Sequence, residues 1–430
     1  QKGTITVSKK GEVFSHAAES DGMYQPQYEV QGQPGAVYDI IALEDIVTPD
    51  GAVHLKAGEQ AATLTTGPDG TATSEPLYLG PYQVLERTAP DGLVKDPEPK
   101  NVVLSYAGQE VKITSASVEF VNNRQKVEIR LKKLLEQDEV FSIGMHEEWK
   151  SITFGLFAAE ALTASDGTSI PADGLIETIG VDENGNAAFT TDVPCGASLY
   201  VKEIATDDHY ILSDEKYPVV FEYAGQDVAV VEIDVNDGEA IENKLKRGKI
   251  SGWKVDQDGF ELGGAVIGLF RPDETEFTEK TALMVAESNE IGYFEFNNVP
   301  VGNWLVREIA PPAAFVLSEE RFPVEITEDG QTIEITIENQ IIRGIVETTK
   351  VDADYPDHKL SGAVFEIYAD VDNNGKFDAN VDRLVGEMAE TEPGLYQLKD
   401  LACGNYLLHE KESPEFFEKD DAYYPFSIVE

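Results

Sequence analysis

The stretch EFVNNRQKVEIRLKK, residues 119–133, decides the fold. One β-type segment ends in it at Asn122 and the next at Lys133, eleven positions later. The same interval recurs in AIENKLKRGKISGWK (240–254), from Asn243 to Lys254, and in TIENQIIRGIVETTK (336–350), from Asn339 to Lys350. Identical spacing across divergent junctions marks a structural repeat. Lys9, in GTITVSKK near the start, has no preceding asparagine, as suits a first copy. Counting from each lysine gives four repeats.

A second phrase recurs between the lysines and asparagines: YLGPYQVLERTAPDG, VPCGASLYVKEIATDD, VPVGNWLVREIAPPAAF and LACGNYLLHEKESPEFF. In each, Glu86, Glu203, Glu308 or Glu410 stands six or seven residues after a glycine, closing a short aromatic and branched run. Strand alternation sets Tyr82, Val84 and Glu86 on one face, and likewise Leu199, Val201, Glu203; Trp304, Val306, Glu308; and Tyr406, Leu408, Glu410. The glutamates therefore point into a core. The same test groups Ile5, Val7, Lys9 and Ile129, Leu131, Lys133, then Val118, Phe120, Asn122 and Ile335, Ile337, Asn339. Val346, Thr348, Lys350 is weaker, and Ile250, Gly252, Lys254 is the weakest.

A buried unpaired amine or carboxyl lowers its cost by becoming neutral. A neutral lysine is a nucleophile, and a buried carboxylic acid can hand a proton to the amide it faces. Where Lys and Asn side chains meet beside such an acid, the amine can attack the carboxamide carbon and ammonia can leave. The product is an intramolecular isopeptide bond, formed once, with no cofactor and no turnover.

These residues resemble the Cna B-type, SpaA-like domains of Gram-positive surface proteins and pilins, which have a transthyretin-like β-sandwich fold. The resemblance covers nearly the whole chain: a first-strand lysine, then GAVYDIIALEDI, GGAVIGLF or SGAVFEIYADV, the Gly-to-Glu phrase and a terminal asparagine. It implies isopeptide triads at Lys9, Glu86, Asn122; Lys133, Glu203, Asn243; and Lys254, Glu308, Asn339, with each glutamate as proton shuttle. Lys10 and Asn123 remain alternatives to Lys9 and Asn122; the common spacing favours the latter pair.

The departures are as informative. The fourth repeat supplies Lys350 and Glu410 but reaches PFSIVE where the third reads FPVEITEDGQ, before its last strand, so no asparagine completes the triad. The strand follows in a longer protein or comes from elsewhere. In the second repeat EEWKSITFGLF replaces the glycine-alanine phrase after a polar stretch from Glu136 to Lys150, which makes its bond the less expected one.

The expected fold is all-β: four tandem transthyretin-like sandwiches in an elongated array at 1–124, 125–244, 245–340 and 341–430, the last lacking its final strand. Alternating Thr, Val, Ile and Tyr between Gly, Pro and Asp clusters read as strands and turns. A formal charge of −47, from 80 acidic against 33 basic residues, leaves no basic stripe for phosphates and excludes a nucleic-acid role. Cys195 and Cys403 occupy matching positions of different repeats, beyond disulfide reach, and read as buried small residues. The six histidines lack metal-ligand spacing, and no nucleophile elbow, phosphate loop or zinc pattern appears. No signal peptide, membrane span or sorting motif is visible, and a chain beginning at Gln1 and ending inside a repeat reads as an excised portion; cell-wall attachment is then expected from regions outside it.

DVDNNGKFDANVD, from Asp370 to Asp382, spaces Asp370, Asp372, Asn374 and Asp378 around Gly375 as a calcium loop does. Val381 stands where the twelfth-position acid belongs and Asp382 comes one step late; a polar hairpin is the competing reading.

Bonds between first and last strands, with short junctions, suit a structural stalk of an extracellular, cell-wall-anchored adhesin or pilus-like protein. The alternative is a module that binds a host extracellular-matrix protein or glycan. Its best candidate is the first-repeat insertion HAAESDGMYQPQYEVQGQ (16–33), read as a loop carrying Met23, Tyr24 and Tyr28, with a disordered excursion as the favoured reading. A sortase-polymerised pilin is a third reading, without a recognisable pilin-motif lysine.

Overall fold

The computed structural model describes residues 1–429 and is built almost wholly of strands. Two short 3-10 turns, Glu148–Ser151 and Val235–Gly238, are the helical elements among the described residues. None is long and apolar enough to cross a membrane. The chain forms two compact units, Gln1–Leu245 and Lys246–Glu430.

Each unit contains two pairs of sheets. At the start of the first unit, Lys2–Ser20 lies between Ile113–Asn122 and Met23–Gly32, and a second sheet runs Lys100–Leu104, Gly80–Thr88, Val37–Ala42, Gln60–Thr65. Ile5, Val7 and Phe120 of the first sheet meet Tyr38, Ile40, Tyr82 and Val84 of the second in one core. The next pair repeats the plan: Asn186–Phe189, Lys126–Leu135 and Val230–Asp234, continued by Ile241–Asn243, against Leu175–Gly180, Thr153–Ala158, Ser198–Ala205 and Lys216–Val220.

In the second unit, Tyr293–Pro300, Arg247–Asp256 and Thr332–Asn339 form one sheet, and Met284–Glu287, Val266–Phe270, Gly302–Ala310 and Phe322–Ile326 the other. Last come Arg343–Thr349, Leu395–Ala402 and Ala389–Glu392, with Arg383–Glu387, Val364–Ala369, Gly404–Glu412 and Tyr423–Ile428. The strand order repeats because the apolar period does: burial along Lys2–Ser20 alternates for ten residues. In the first three pairs the first strand runs parallel to the last. Among the described residues, Arg343–Thr349 has no such parallel partner.

The insertion at 16–33 is not a loop. Lys2–Ser20 continues through it, turns at Asp21 and Gly22, both with positive φ, and returns antiparallel as Met23–Gly32. This hairpin lies on the neighbouring sandwich of the same unit, where Phe14, Ala17 and Tyr24 pack against the core formed by residues such as Phe154 and Phe189. Ser165 N donates to Phe14 O at 2.9 Å, Ala17 N to Thr168 Oγ1 at 2.8 Å, and Tyr28 OH to Asp192 O at 2.9 Å. The buried Arg124 guanidinium covers the Tyr28 ring at 3.3 Å and pairs with Glu12 and Asp192. Cys195 and Cys403 are free thiols, half-buried rather than buried.

Candidate functional site

The parallel pairing of first and last strands brings each lysine and asparagine to the same end of a sheet. Phe120, Ile241 and Ile337 lie directly opposite Lys9, Lys133 and Lys254, and the asparagines follow two positions later on the same face. Each glutamate reaches them from the opposing sheet. Lys9, Glu86, Asn122, Lys133, Glu203, Asn243, Lys254, Glu308 and Asn339 are all buried, with Lys9 and Lys254 wholly so.

In the first set Lys9 Nζ donates to Glu86 Oε1 at 2.6 Å and Asn122 Nδ2 to Glu86 Oε2 at 2.8 Å, while Tyr38 OH reaches Oε1 at 3.3 Å. Burial pushes the Tyr38 phenol well up, so it stays a neutral donor. In the second set the lysine touches the amide itself: Lys133 Nζ donates to Asn243 Oδ1 at 2.5 Å and lies 3.1 Å from Glu203 Oε1, and Asn243 Nδ2 donates to both Glu203 oxygens at 2.9 Å. In the third, Lys254 Nζ lies 3.5 Å from Glu308 Oε1 and donates to Ile337 O at 3.1 Å, with Asn339 Nδ2 on Glu308 Oε2 at 2.9 Å.

Loss of water is the largest influence on all three lysines and pulls each below its ordinary value, against the opposing pull of the neighbouring glutamate. A larger neutral fraction makes the amine a better nucleophile. Asn122 Oδ1 and Asn339 Oδ1 are buried without a hydrogen-bond partner among the described residues, an arrangement that costs about 1–3 kcal/mol per group. Asn123 is exposed and Lys10 half-buried, Lys10 pairing with Glu119 at 2.7 Å.

Two recurring features went unread in the sequence. Ten residues past each glutamate a backbone N–H donates to its Oε2: Asp96 at 2.8 Å, Ser213 at 3.3 Å, Ser318 at 2.7 Å and Asp420 at 2.8 Å. This orients the carboxylate, and the fixed interval was its signal. Each lysine's own backbone N–H donates to a glycine carbonyl, from Lys9 to Gly70, Lys133 to Gly185, Lys254 to Gly292 and Lys350 to Gly394, at 2.7–2.9 Å. These glycines all have positive φ, and a Cβ on Gly185 or Gly292 would meet the lysine carbonyl at 2.1 or 2.4 Å. Their distance from the lysine varies, so spacing could not reveal them.

The fourth pair also meets: Lys350 Nζ lies 2.7 Å from Glu410 Oε1. In the 370–382 loop, Asp370, Asp372 and Asp382 bring carboxylate oxygens within 4.8 Å of one another. Of the four residues expected as calcium ligands, Asp370 and Asp372 belong to this trio. Asn374 Nδ2 instead donates to Asp372, while Asp378 receives Asn380 N. Asp382, one step late for the loop pattern, replaces Asp378 because it folds back to accept the Val371 and Asp378 amides.

The repeated sheets and their crossings define a tandem β-sandwich protein of the prealbumin type. The chain belongs to the SpaA prealbumin-like fold domain family, which matches residues 31–117, 248–341 and 344–430, more than half of its length. No curated protein matches it. Among solved structures, the Bacillus anthracis TIE protein aligns with 98% of this chain and 71% of its own at 18% identity and a TM-score of 0.52. BcpA, the major pilin subunit of Bacillus cereus, covers 80% and 100% at 17% identity and a TM-score of 0.34. The full-length major pilin SpaD from Corynebacterium diphtheriae covers 79% and 97% at 15% identity and a TM-score of 0.22. At these identities the likeness to the first is one of fold.

Proposed function

We propose that this chain is a structural stalk of a Gram-positive cell-surface adhesin or pilus-like protein, whose sandwiches lock themselves with Lys9–Asn122, Lys133–Asn243 and Lys254–Asn339 isopeptide bonds. The observation that carries the reading is the repeated burial of lysine, glutamate and asparagine between parallel first and last strands. In each set the neutral amine attacks the carboxamide carbon, the glutamate carries the proton from the attacking nitrogen to the leaving one, and ammonia departs. Lysine and asparagine are consumed, so the reaction occurs once and is not enzymatic turnover. Family membership supports an extracellular, cell-wall-attached setting.

Tension enters a sandwich through its first strand and leaves through its last, which are the strands the bond would join. Force then passes through covalent bonds while the loop between them stays folded. The hairpin at 16–33 supports this reading over a binding loop, because Tyr24 and Tyr28 are turned onto the adjoining sandwich. Stretching single molecules tests it. The loop from Lys133 to Asn243 spans 110 positions and hides roughly 370 Å of extended chain. Bonded sandwiches should never release that length, and a Glu86→Ala, Glu203→Ala, Glu308→Ala chain should release it stepwise; release by the unsubstituted chain would sink the proposal.

A further inference from the structure

The loop at 87–96 closes over the first lysine, glutamate and asparagine, and its outer side is held by the second sandwich. On the inner side the Asp96 amide donates to Glu86 Oε2 at 2.8 Å, and Leu93 is 3% exposed. Gly11 lies opposite Asn122, and a Cβ on it would meet Leu93 Cδ1 at 2.6 Å, so the loop packs on the strand that carries Lys9. On the outer side the grip comes from Gln226 and Tyr223. Ala89 N donates to Gln226 Oε1 at 2.8 Å and Gln226 Nε2 to Arg87 O at 3.3 Å. Lys95 N donates to Gln226 O and Tyr223 OH to Leu93 O, both at 2.9 Å.

The gripping residues are themselves placed by the second sandwich. Phe221, wholly buried in its core, donates its amide to Ala197 O at 3.0 Å and accepts Gly196 N at 2.7 Å. Gln125, also wholly buried, donates to Gly225 O at 3.0 Å and Val228 O at 2.7 Å and accepts Ala224 N at 2.8 Å. The same three bonds recur in the first sandwich, where Gln1 donates to Gly108 O and Val111 O and accepts Ala107 N. The shape of this turn is therefore set within each sandwich, and at 223–226 it aims Gln226 and Tyr223 at the neighbour. Without their grip the 87–96 loop can open locally, which takes the Asp96 amide from Glu86 and lets water reach Lys9.

We propose that the second sandwich is the latch of the first bond. Gln226 and Tyr223 are positioning residues that hold the 87–96 loop shut over Lys9, Glu86 and Asn122, so that the Lys9–Asn122 link forms only once the second sandwich has folded. The inference rests on the bond-forming reading of these sets. The reaction keeps its balance: a C–N bond forms to Lys9 Nζ, the bond to the Asn122 carboxamide nitrogen breaks, and that nitrogen leaves as ammonia with the proton Glu86 passes to it. What the latch adds is an order of assembly. The link is irreversible, and the delay leaves the first sandwich free to refold until its neighbour is seated against it.

The test follows each link separately, by intact mass and peptide mapping, in full chain isolated unlinked under denaturing conditions and then refolded. In Gln226→Ala/Tyr223→Phe the Lys9–Asn122 link should form about tenfold more slowly, while Lys133–Asn243 and Lys254–Asn339 keep their rates. Gln226→Glu, which can still accept the Ala89 amide, should stay within about twofold of the unsubstituted chain. Phe154→Asp, which sets a charge in the second core, should abolish Lys9–Asn122 together with Lys133–Asn243 and spare Lys254–Asn339. An unchanged first link in the double variant, equal slowing of all three links, or a first link at full rate in Phe154→Asp would each overturn the latch. Gln226→Glu as slow as the double variant would overturn the role of the Ala89 contact. No ammonia loss at any set in the unsubstituted chain would instead overturn the bond chemistry beneath it.

Discussion

Replacing Lys133 by methionine removes the amine while keeping an unbranched stem of similar volume in a site whose lysine side chain is 1% exposed. The Lys133–Asn243 link would close a loop of 110 positions. Treated as a loop-closure constraint on the unfolded chain, like a disulfide, that is about 4.8 kcal/mol at 25 °C. With an unfolding entropy of roughly 0.23 kcal/mol/K for a domain of this size, the midpoint should fall by about 20 °C. Methionine also leaves the buried Glu203 with no polar partner at the lysine's position, a separate cost. The Lys133→Met/Glu203→Gln double substitution removes that charge, and Asn243 can still donate to the glutamine oxygen. Calorimetry of the full chain, read for the transition that moves, should therefore show most of the drop retained in the double variant. The intact mass should show one ammonia loss fewer than the unsubstituted chain. A midpoint that moves by only a few degrees would refute the loop-closure reasoning, and an unchanged number of ammonia losses would refute the role of Lys133.

Glu308→Ala should leave Lys254 and Asn339 unlinked, which by the same loop-closure reasoning costs about 4.6 kcal/mol in a denaturant titration, and should leave a wholly buried amine without its counter-charge as a further cost; a bond that still forms would remove the proton-shuttle role. The rate of bond formation in freshly refolded chain, followed by mass, should be flat across neutral pH. The reactive pair of neutral lysine and glutamic acid differs from the ion pair only by a proton moved within the site, so their ratio does not depend on pH. Burial lowers the lysine values, so the alkaline fall in rate, where the pair has lost that proton, should begin below 10.5. A rate that climbs steadily with pH would mean that glutamate takes no part. Arg124→Ala should loosen the hairpin by removing its cover on Tyr28 and its pairs with Glu12 and Asp192. Hydrogen exchange should rise at 16–33 while the Lys9–Asn122 link persists; unchanged exchange would show that the apolar contacts alone hold it.

Strand alternation made much of the site legible, because a period of two fixes which residues share a face. It separates Lys9 from Lys10 and Asn122 from Asn123, and the structure buries the first of each pair, leaving Lys10 half-buried and Asn123 exposed. Lys254 read poorly because Gly252 offers no side chain to mark its face. The space is filled from the next strand, where the Phe294 ring would meet a Cβ on Gly252 at 2.5 Å. Asn243 had no face reading at all, for another reason. The last strand breaks at Val235–Gly238, where Asn236 and Asp237 adopt left-handed φ, and the alternation restarts only at Ile241.

The hairpin was read as a loop because Gly22 and Pro26 punctuate it and its apolar residues have no partner within their own repeat. Their partner is the neighbouring sandwich, a contact that no local pattern encodes. The amides ten residues past the glutamates stayed hidden because a backbone N–H leaves no mark on residue identity; Asp and Ser share that position.

The most direct test of the welded stalk is the intact mass of the purified chain, followed by a peptide map of cross-linked fragments. A deficit of three ammonia molecules, mapped to Lys9–Asn122, Lys133–Asn243 and Lys254–Asn339, is the expected result. A mass equal to that of the unmodified sequence, with all three lysines recovered in linear peptides, would contradict it.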